Sequence, residues 1–533
     1  MYPKSGLVSL SNTQNKQLQS KEVTVGNLMI GGDHPVIIQS MTTTQTMDVT
    51  STVEQVIRLA DAGCEMVRMT TQNIREAHQL SKIKNTLVKK GYDLPLVADV
   101  HFNPKVAEVA AQMVEKVRIN PGNYVDRNNL KIDYTDSEYL VEIEKIRQKL
   151  VPLLDICKKH NTAIRIGTNY GSLSNRILAK YGNTAVGMVE STIEFVEICR
   201  NHQFENLVLS LKSSNARLMI ESNKLLVARM IENGYYYPLH LGVTEAGDGR
   251  DGRVKAATGI GNLLLNGIGD TIRVSLTEKP ENEIPVARQL VELYGKRISD
   301  LPTIKAEKIM LKRSVKSLNT NKLKPPFVVS QGTSKLSDFY LDKNNNLNND
   351  KREVIATETG PVSFKPDRKN KSGIIKLSYS DISKEVIQLR AAAEFSYIYD
   401  LVEANGICIH NNATSTDENA QLSFDILQAM GLRFSKAEFI ACPSCGRTYF
   451  NIQDHLKKVR EKTSHLKAVK IAVMGCVVNG PGEMADADYG YVGSGIGKVS
   501  LYKGSEIIYQ NIEENLAVDT LISMIKAHGD WKY

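Results

Sequence analysis

Three cysteines near the C-terminus have the spacing of metal or cluster ligands. Cys442 and Cys445 stand in the run ACPSCGRT, where the two-residue gap lets both sulfurs turn toward one metal or one cluster edge. The proline and glycine of that run favour the tight turn that such a pair requires. Cys476 follows an apolar, strand-like run, and Glu483, a hard oxygen donor, ends the loop after it. Three thiolates and one weaker ligand predict an iron–sulfur cluster with one exchangeable iron.

A zinc knuckle is the alternative, because C-P-x-C-G also occurs in zinc ribbons. A structural zinc site usually needs a second close pair of ligands, and the chain offers only Cys476 with His455 or His465. The spacing therefore favours the cluster. Ordinary buried cysteines are a further interpretation, but a pair framed by proline and glycine is poor core material.

A second set of suggestive residues is basic and lies far from the cysteines. Each stands within, or at the end of, a short β-branched run. If these runs are strands of one barrel, their ends converge on one mouth, where active sites are found. Converging cations repel each other unless an anion lies between them, and the planar guanidinium group suits phosphate oxygens. A substrate with more than one phosphate is therefore predicted from Arg68, Arg118, Arg165, Lys212 and Arg273.

Polar residues accompany these cations at the predicted strand ends. His101 and His240 are candidates for proton transfer or for hydrogen bonds to phosphate. Glu245, in the run VTEAGDGR, could donate a proton or hold a hydroxyl group. Each of them, taken alone, is equally compatible with a structural hydrogen bond. The other candidates at these ends are Asp99, Asn120, Asn169 and Ser275.

The strand-like runs of residues 22–298 alternate with amphipathic helical stretches. Eight such units in ~275 residues predict an N-terminal (β/α)8 TIM-type barrel. A doubly wound open sheet is the alternative, but no G-x-G-x-x-G follows the first run. The runs are Val36–Met41, Glu65–Thr70, Leu94–Val100, Lys116–Asn120, Ala163–Gly167, Leu207–Lys212, Tyr237–Val243 and Thr271–Leu276.

Two further regions follow the barrel. Residues 299–435 begin with Lys/Asn-rich runs that are typical of linkers, and helical and strand patterns return near Ile382. We predict a short inserted α/β region there, too short for a second barrel. Residues 436–533 combine the cysteines with helices, an apolar strand and a glycine-rich hairpin, which predicts a C-terminal α/β iron–sulfur domain.

Composition limits the class of protein. The chain has 533 residues, of which 42% are hydrophobic and 24% charged, as in a soluble globular protein. We expect no membrane segment, because no apolar run approaches the ~20 residues that a spanning helix needs. The seven cysteines, an odd and sparse set, predict a reducing cytoplasm. The net charge of +8 is not gathered in one basic stripe, so no nucleic-acid partner is expected.

Seven runs resemble the 4-hydroxy-3-methylbut-2-en-1-yl diphosphate synthase family: VRMT, VRINPGN, RIGTNYGSL, LHLGVTEAG, GIGDTIRVSL, IACPSCGRT and GCVVNGPGE. The resemblance covers the barrel and the C-terminal domain almost continuously. It implies reductive ring opening of 2-C-methyl-D-erythritol 2,4-cyclodiphosphate, with loss of water, in the non-mevalonate isoprenoid pathway. It also implies a four-iron four-sulfur cluster that flavodoxin or ferredoxin reduces.

The resemblance also implies roles for individual residues. The three cysteines would be the thiolate ligands of the cluster and Glu483 its fourth ligand. Glu245 and His240 would lie near the reacting carbons as catalytic residues. The diphosphate would be held by Arg68, Arg118, Arg165, Lys212, Arg273 and Ser275, with help from Asn120 and Asn169.

The inserted region departs from the family pattern. Some members insert a further barrel-like domain, and this chain resembles that three-domain form with a shortened insert. Because the cluster and the barrel belong to separate domains, they must close on each other before reaction. The barrel could belong to the same chain or to the other chain of a homodimer, and the sequence leaves both open. A non-redox phosphate-binding barrel with a structural zinc knuckle is the alternative function.

Overall fold

The structure is a computed structural model that describes most of the chain. The described residues are 19–125, 133–295, 306–311, 326–342, 347–348, 354–355, 357–361, 373–380, 382–402, 404–477, 482, 484 and 486–532. Most of the Lys/Asn-rich linker sequence lies outside them, and so does Glu483.

The N-terminal region is a barrel of eight parallel strands, preceded by the antiparallel hairpin of β1 (Val23–Val25) and β2 (Leu28–Ile30). The last strand pairs with the first, and each strand pairs with the next except that β8 and β9 are joined by an isolated bridge between Leu209 and Leu239, so the barrel is nearly closed. The predicted barrel and its eight strands are confirmed. The strands are β3 (Ile37–Met41), β4 (Met66–Thr70), β5 (Leu96–Asp99), β6 (Lys116–Ile119), β7 (Ala163–Asn169), β8 (Leu207–Lys212), β9 (His240–Leu241) and β10 (Thr271–Ile272).

Helices between the strands cover the outside of the barrel. In α1 the side chain of Asp48 caps the first turn, and Val53, Val56 and Leu59 form the buried face. A π-helical turn, Ala257–Gly261, joins α9 to α10. The helices are α1 (Val49–Asp61), α2 (Ile74–Lys89), α3 (Pro104–Ala110), α4 (Pro121–Tyr124), α5 (Asp136–His160), α6 (Asn175–Tyr181), α7 (Ala185–Asn201), α8 (Ala216–Glu232), α9 (Gly249–Ala256), α10 (Asn262–Leu265) and α11 (Glu283–Tyr294).

The barrel interior is apolar at the bottom and charged toward the carboxyl ends of the strands. The strand registers place Arg118 of β6 opposite Asp99 of β5 and Arg165 of β7. Paired residues in a sheet point to the same face, so these three side chains share the interior. The apolar floor beneath them consists of Ile37, Met66, Val97, Ala163 and Val208, covered by the hairpin residues Val23, Val25 and Ile30.

The inserted region is a folded layer rather than a spacer. Its strands form one mixed sheet in the order β15-β14-β13-β12-β18-β17-β11-β16, and α12 (Lys384–Val402) packs against the π-helical turn of the barrel. A side chain on Gly261 of that turn would come within 2.3 Å of the Ala393 side chain. The strands are β11 (Ala306–Leu311), β12 (Phe327–Gln331), β13 (Phe339–Leu341), β14 (Leu347–Asn348), β15 (Val354–Ile355), β16 (Thr357–Pro361), β17 (Ile374–Tyr379) and β18 (Gly406–Asn411), and α13 (Thr416–Ala429) follows.

Within its described residues, the C-terminal domain is a five-stranded sheet with two helices. Its first three strands are parallel and its last two antiparallel, and the predicted glycine-rich hairpin turns at Gly497. Among the helices of the described residues, none is long and apolar enough to cross a membrane. The elements are β19 (Glu438–Ala441), α14 (Ile452–Thr463), β20 (Lys470–Met474), β21 (Tyr489–Gly495), β22 (Lys498–Lys503), β23 (Glu506–Glu513) and α15 (Glu514–Ala527).

Candidate functional site

A cavity lies between the mouth of the barrel and the C-terminal domain. Both sets of residues singled out in the sequence, the strand-end cations and the cysteines, line it. The barrel contributes Met41, Arg68, Asp99, His101, Arg118, Arg165, Asn169, Lys212, Thr244, Glu245, Arg273 and Ser275. The C-terminal domain contributes Cys442, Pro443, Ser444, Cys445, Arg447, Met474, Gly475 and Cys476.

The C-terminal domain closes over the barrel of its own chain. Ala246 and Ala441 form a parallel β-bridge, and the Thr277 hydroxyl donates a hydrogen bond of 3.0 Å to the carbonyl of Ala441. Gly446 fits so closely that a side chain there would come within 2.6 Å of the Thr44 carbonyl oxygen. In this structure the residues that line the cavity belong to one chain.

The three cysteines stand at the ends of neighbouring parallel strands. Cys442 follows β19 and Cys476 lies just beyond β20, while Ser444, with a φ of +67°, turns the chain so that Cys445 faces the same cavity. The Gly475 N–H donates a hydrogen bond of 3.5 Å to the Cys442 sulfur. Burial raises the pKa of the Cys442 thiol.

These donors fit an iron–sulfur cluster in their chemistry. Three soft sulfur donors converge on one largely buried cavity, as thiolate-bound clusters require. Within the described ranges, no group of three or more His, Cys, Asp and Glu side chains is placed to hold a single metal ion. The predicted fourth ligand, Glu483, is outside those ranges.

Asp99 is the carboxylate at the centre of the cationic mouth. Its side chain lies 2.9 Å from Arg118, 3.4 Å from His101 and 3.9 Å from both Arg68 and Arg447. Burial would raise the pKa of Asp99, but Arg118, His101 and Arg68 together outweigh burial and hold the pKa well below its usual range. Asp99 is therefore an anion that orients cations.

Arg118 is held at both terminal nitrogens of its guanidinium group. It donates hydrogen bonds to Asp99 Oδ1 at 2.9 Å and to the Gly167 carbonyl at 2.8 Å, and its Nη1 lies 2.7 Å from His101 Nε2. A side chain at position 167 would come within 2.6 Å of Arg118 Nε, so glycine at this position leaves space for the Arg118 side chain. Burial lowers the pKa of His101 to about 3, so this imidazole is neutral at physiological pH.

Arg273 is positioned by a carboxylate that the sequence interpretation missed. Glu283, at the start of α11, accepts bonds of 3.2 and 3.1 Å from Arg273 Nε and Nη2 and one of 2.8 Å from Ser40. Arg447 was also missed, although it belongs to the run ACPSCGRT and lines the cavity. Its position within that cysteine motif is the signal that could have identified it.

Two predicted site residues do not line the cavity. His240 pairs with Thr271, which precedes Arg273 by two residues, so His240 lies deeper in the barrel than Arg273 does. Its Nε2 lies 3.0 Å from Lys212 Nζ. Burial lowers the pKa of His240 well below its usual value. Asn120 caps α4 by accepting from the Gly122 N–H and donates to Ser172. These placements differ from the prediction of direct contact with substrate.

Lys116 is a buried lysine one level below the cationic mouth. It is fully buried two residues before Arg118 on β6, and its ammonium group has no hydrogen-bond partner among the described residues. Burial holds its pKa well below 10.5, so the buried ammonium group destabilises the fold. This destabilisation becomes smaller as the pH rises toward the pKa of the unfolded state.

We expect Lys116→Met to increase the free energy of unfolding at pH 7 by ~1–4 kcal/mol, because an apolar side chain removes an uncompensated buried charge. The gain should shrink as the pH approaches 10, where the wild-type lysine loses its proton without cost. Denaturant titrations at pH 7 and pH 10 measure both effects. The exposed Lys457→Met is the control, and an equal gain in the two variants would contradict the explanation.

Comparisons with known proteins agree with the geometry of the two domains. Residues 20–288 match a family model described as the GcpE TIM-barrel domain, and residues 438–527 match the GcpE protein C-terminal domain. The chain is 43% identical, over an alignment of 608 residues, to the 4-hydroxy-3-methylbut-2-en-1-yl diphosphate synthase (flavodoxin) of Phocaeicola vulgatus, covering 96% of this chain and 98% of the relative. Because the alignment exceeds the length of the chain, the relative carries residues that this chain lacks.

Two further relatives bear the same description. The protein of Parabacteroides distasonis is 41% identical, with 96% of this chain and 98% of the relative covered. The protein of Porphyromonas gingivalis is 39% identical, with 97% of this chain and 98% of the relative covered. The similarity therefore extends over nearly the whole chain, including the inserted region.

Proposed function

Because the chain belongs to the GcpE family of 4-hydroxy-3-methylbut-2-en-1-yl diphosphate synthases, which are iron–sulfur enzymes, we propose that its reaction takes place in the cavity beneath the C-terminal domain. The reaction is the reductive ring opening of 2-C-methyl-D-erythritol 2,4-cyclodiphosphate. The observation that carries the proposal is the convergence of five strand-end cations and three cysteines on one cavity. The alternative, a non-redox barrel with a zinc knuckle, is not favoured by the comparisons.

The cations of the mouth hold the diphosphate. Among the described residues that line the cavity, six side chains are basic and two are acidic, so positive charge remains after Asp99 has formed its ion pairs. Arginine groups that are already fixed lose little entropy when they bind phosphate oxygens. Arg118 is fixed by Asp99 and Gly167, and Arg273 by Glu283. The mouth is therefore preorganised for an anion, and Ser275 and Asn169 supply further polar groups.

The cysteines hold the redox group at the opposite wall. We infer that Cys442, Cys445 and Cys476 bind a four-iron four-sulfur cluster and that Glu483 is its exchangeable ligand. When bound, such a cluster supplies single electrons, which no ordinary side chain can do, for the two-electron cleavage of a ring C–O bond.

Glu245 supplies a proton in this proposal. Ring opening with loss of water consumes two electrons and two protons, and one proton must reach the hydroxyl group that leaves as water. The Glu245 carboxyl group is 7% exposed and lines the cavity between the cationic mouth and the cysteines. A buried carboxylic acid in this position can donate to a leaving oxygen. His240 acts indirectly, by contacting Lys212 from below.

A flavodoxin is the proposed electron donor, as the names of the relatives indicate. Cys445 lines a second groove, open to the outside, together with Thr43, Lys279, Tyr449 and Phe450. A donor seated there would approach the sulfur ligands without entering the substrate cavity. None of the seven cysteines is paired in a disulfide, which supports a reducing compartment such as the cytoplasm.

Anaerobic turnover with product identification tests the function. The protein, purified without oxygen, should be brown, and with reduced flavodoxin it should convert the cyclic diphosphate to 4-hydroxy-3-methylbut-2-enyl diphosphate. Phosphorus NMR separates the cyclic substrate from the linear product. Colourless, zinc-containing protein that binds the cyclic diphosphate without consuming it would support the non-redox alternative instead.

Arg118→Ala should weaken substrate binding by ~1.5–3 kcal/mol, because a charge-assisted contact to the diphosphate is lost. This corresponds to an increase in KM of about 10- to 150-fold. Arg118→Lys keeps the charge but not the planar fork, and we expect an intermediate KM. Initial-rate kinetics provide the measurement. The exposed Arg217→Ala is the control, and an unchanged KM in Arg118→Ala would remove this residue from the site.

A further inference from the structure

We propose that Arg460 and Lys436 of the C-terminal domain are positioning residues for Glu245, so that closure of this domain and placement of the proton donor are one event. The inference rests on the proposed role of Glu245 and goes beyond it by naming the groups that place the carboxyl. Neither cation lines the substrate cavity.

Glu245 occupies a backbone conformation that needs external support. Its φ is +49°, in the left-handed region that non-glycine residues rarely adopt. It lies in the short loop between β9 and α9, where Gly247 also has a positive φ, of +90°. Such conformations persist where the surrounding structure holds them. The question is therefore which contacts hold this loop.

Backbone contacts tie the loop to the strand that leads into the cysteine motif. Ala246 forms the parallel bridge with Ala441. Thr277 contacts both segments, because its N–H donates to the Gly247 carbonyl at 2.9 Å and its hydroxyl donates to the Ala441 carbonyl at 3.0 Å. Glu245 and Cys442 are thus the immediate chain neighbours of two bridged residues.

Charged contacts hold the other end of the loop. Arg460 of α14 bonds to Asp248 and lies 3.5 Å from Asp251 at the start of α9. Lys436 lies 2.6 Å from the same Asp251 and 3.0 Å from Asp425 of α13. The loop that carries Glu245 is therefore clamped by two cations of the C-terminal domain, with the inserted region as a third participant.

The Arg460 side chain is itself preorganised for this role. Its guanidinium group lies 4.9 Å from the centre of the Phe439 ring, and Phe439 belongs to β19, the strand that ends next to Cys442. Lifting the C-terminal domain would remove Arg460, Lys436 and the Ala441 bridge from the loop together. The loop that carries Glu245 therefore has its full set of contacts only while the cysteines face the substrate.

Kinetics of Arg460→Gln and Lys436→Gln in the full-length holoenzyme test the inference. We expect each change to lower kcat by about 10-fold, as for a lost charge-assisted contact, and to leave KM for the cyclic diphosphate within about twofold. Visible absorption should show an unchanged cluster content. Arg460→Lys keeps the charge and should recover part of the loss.

A double-mutant cycle separates positioning of Glu245 from general stability. In a Glu245→Gln background, Arg460→Gln should have little further effect on kcat, because the carboxyl that it positions is gone. The exchange of Asp248→Arg with Arg460→Asp should restore kcat if the ion pair is what matters. Lys462→Gln is the control, since Lys462 lies on the same helix but pairs with Asp519 inside the C-terminal domain, and its kcat should be unchanged.

The possible results distinguish the positioning role of Arg460 and Lys436 from the proposed function and from a role in domain stability. An unchanged kcat in both cation variants, or losses from Arg460→Gln and Glu245→Gln that simply multiply, would overturn the positioning role while leaving the proposed function intact. Wild-type protein that fails to convert the cyclic diphosphate would instead remove the proposed function. Loss of cluster absorption in Arg460→Gln, not recovered by the charge exchange, would assign Arg460 to stability of the domain and would also overturn the inference.

Discussion

Replacing Cys442 by alanine should remove the iron and the turnover together. Cys442 follows β19, and its sulfur accepts a hydrogen bond from the Gly475 N–H at 3.5 Å. Without it, only Cys445 and Cys476 remain as sulfur ligands on this wall of the cavity, and a cluster held by two thiolates is labile. We expect iron and acid-labile sulfide to fall to background and turnover to drop by at least ~10³-fold, since no other group supplies the electrons.

The control for this experiment is another cysteine of the same chain. Cys408→Ala removes a thiol that is fully buried in the inserted sheet, far from the cavity wall. It should lower the melting temperature and keep the iron, since only a packing contact is lost. Iron, sulfide, visible absorption and turnover are measured on the same anaerobic preparations. Full iron with full turnover in Cys442→Ala would refute the assignment of this ligand.

The barrel could be predicted from the sequence because its signals are local. Each strand lies in a short run rich in apolar residues, and five of the eight runs carry a cation within them or at their carboxyl end, as Arg118 does on β6. Closure of the sheet then follows from the count of strand–helix units. The pattern of apolar residues does not, however, indicate how far a side chain on a strand lies from the mouth of the barrel. The resemblance placed His240 near the reacting carbons, and in the structure its Nε2 lies 3.0 Å from Lys212 Nζ, outside the cavity lining.

The inserted region was harder to predict for a physical reason. Two of its strands, β14 and β15, contain only two residues each, too few to show an alternating pattern. Its longer strands lie among Lys/Asn-rich runs that suggested linkers. The helices α12 and α13 were predictable, since they are long enough to show an apolar face. How the sheet packs on the barrel depends on contacts such as Ala393 on Gly261, which no local pattern contains.

Partners that meet through tertiary contacts were also beyond local reasoning. Glu283 was not singled out because a glutamate in the first turn of a helix is ordinary, and only its 3.1 Å contact with Arg273 gives it a function. Arg447 reaches within 3.9 Å of Asp99 from the other domain. Asp99 and Arg447 are hundreds of positions apart in the sequence, and only docking of the C-terminal domain brings them together.

Replacing Glu245 by glutamine should lower kcat by about 10²–10⁴-fold, the usual contribution of a general acid. The amide has the same size and fits the same left-handed backbone, but it cannot deliver a proton to the departing hydroxyl group. KM should change little, because the diphosphate is held by the cations of the mouth. Initial rates across the cyclic diphosphate concentration range, with iron content measured in parallel, give the two constants separately.

Glu283→Gln is the informative contrast, because it changes a second buried carboxyl of the same region to an amide. Glu283 fixes Arg273 through two hydrogen bonds, so its loss leaves that guanidinium poorly oriented and should raise KM and lower thermal stability. The two variants therefore separate proton delivery from anion binding. If Glu245→Gln kept wild-type kcat, the proton for the departing water would come from another group, and the clamp formed by Arg460 and Lys436 would have no catalytic carboxyl to position.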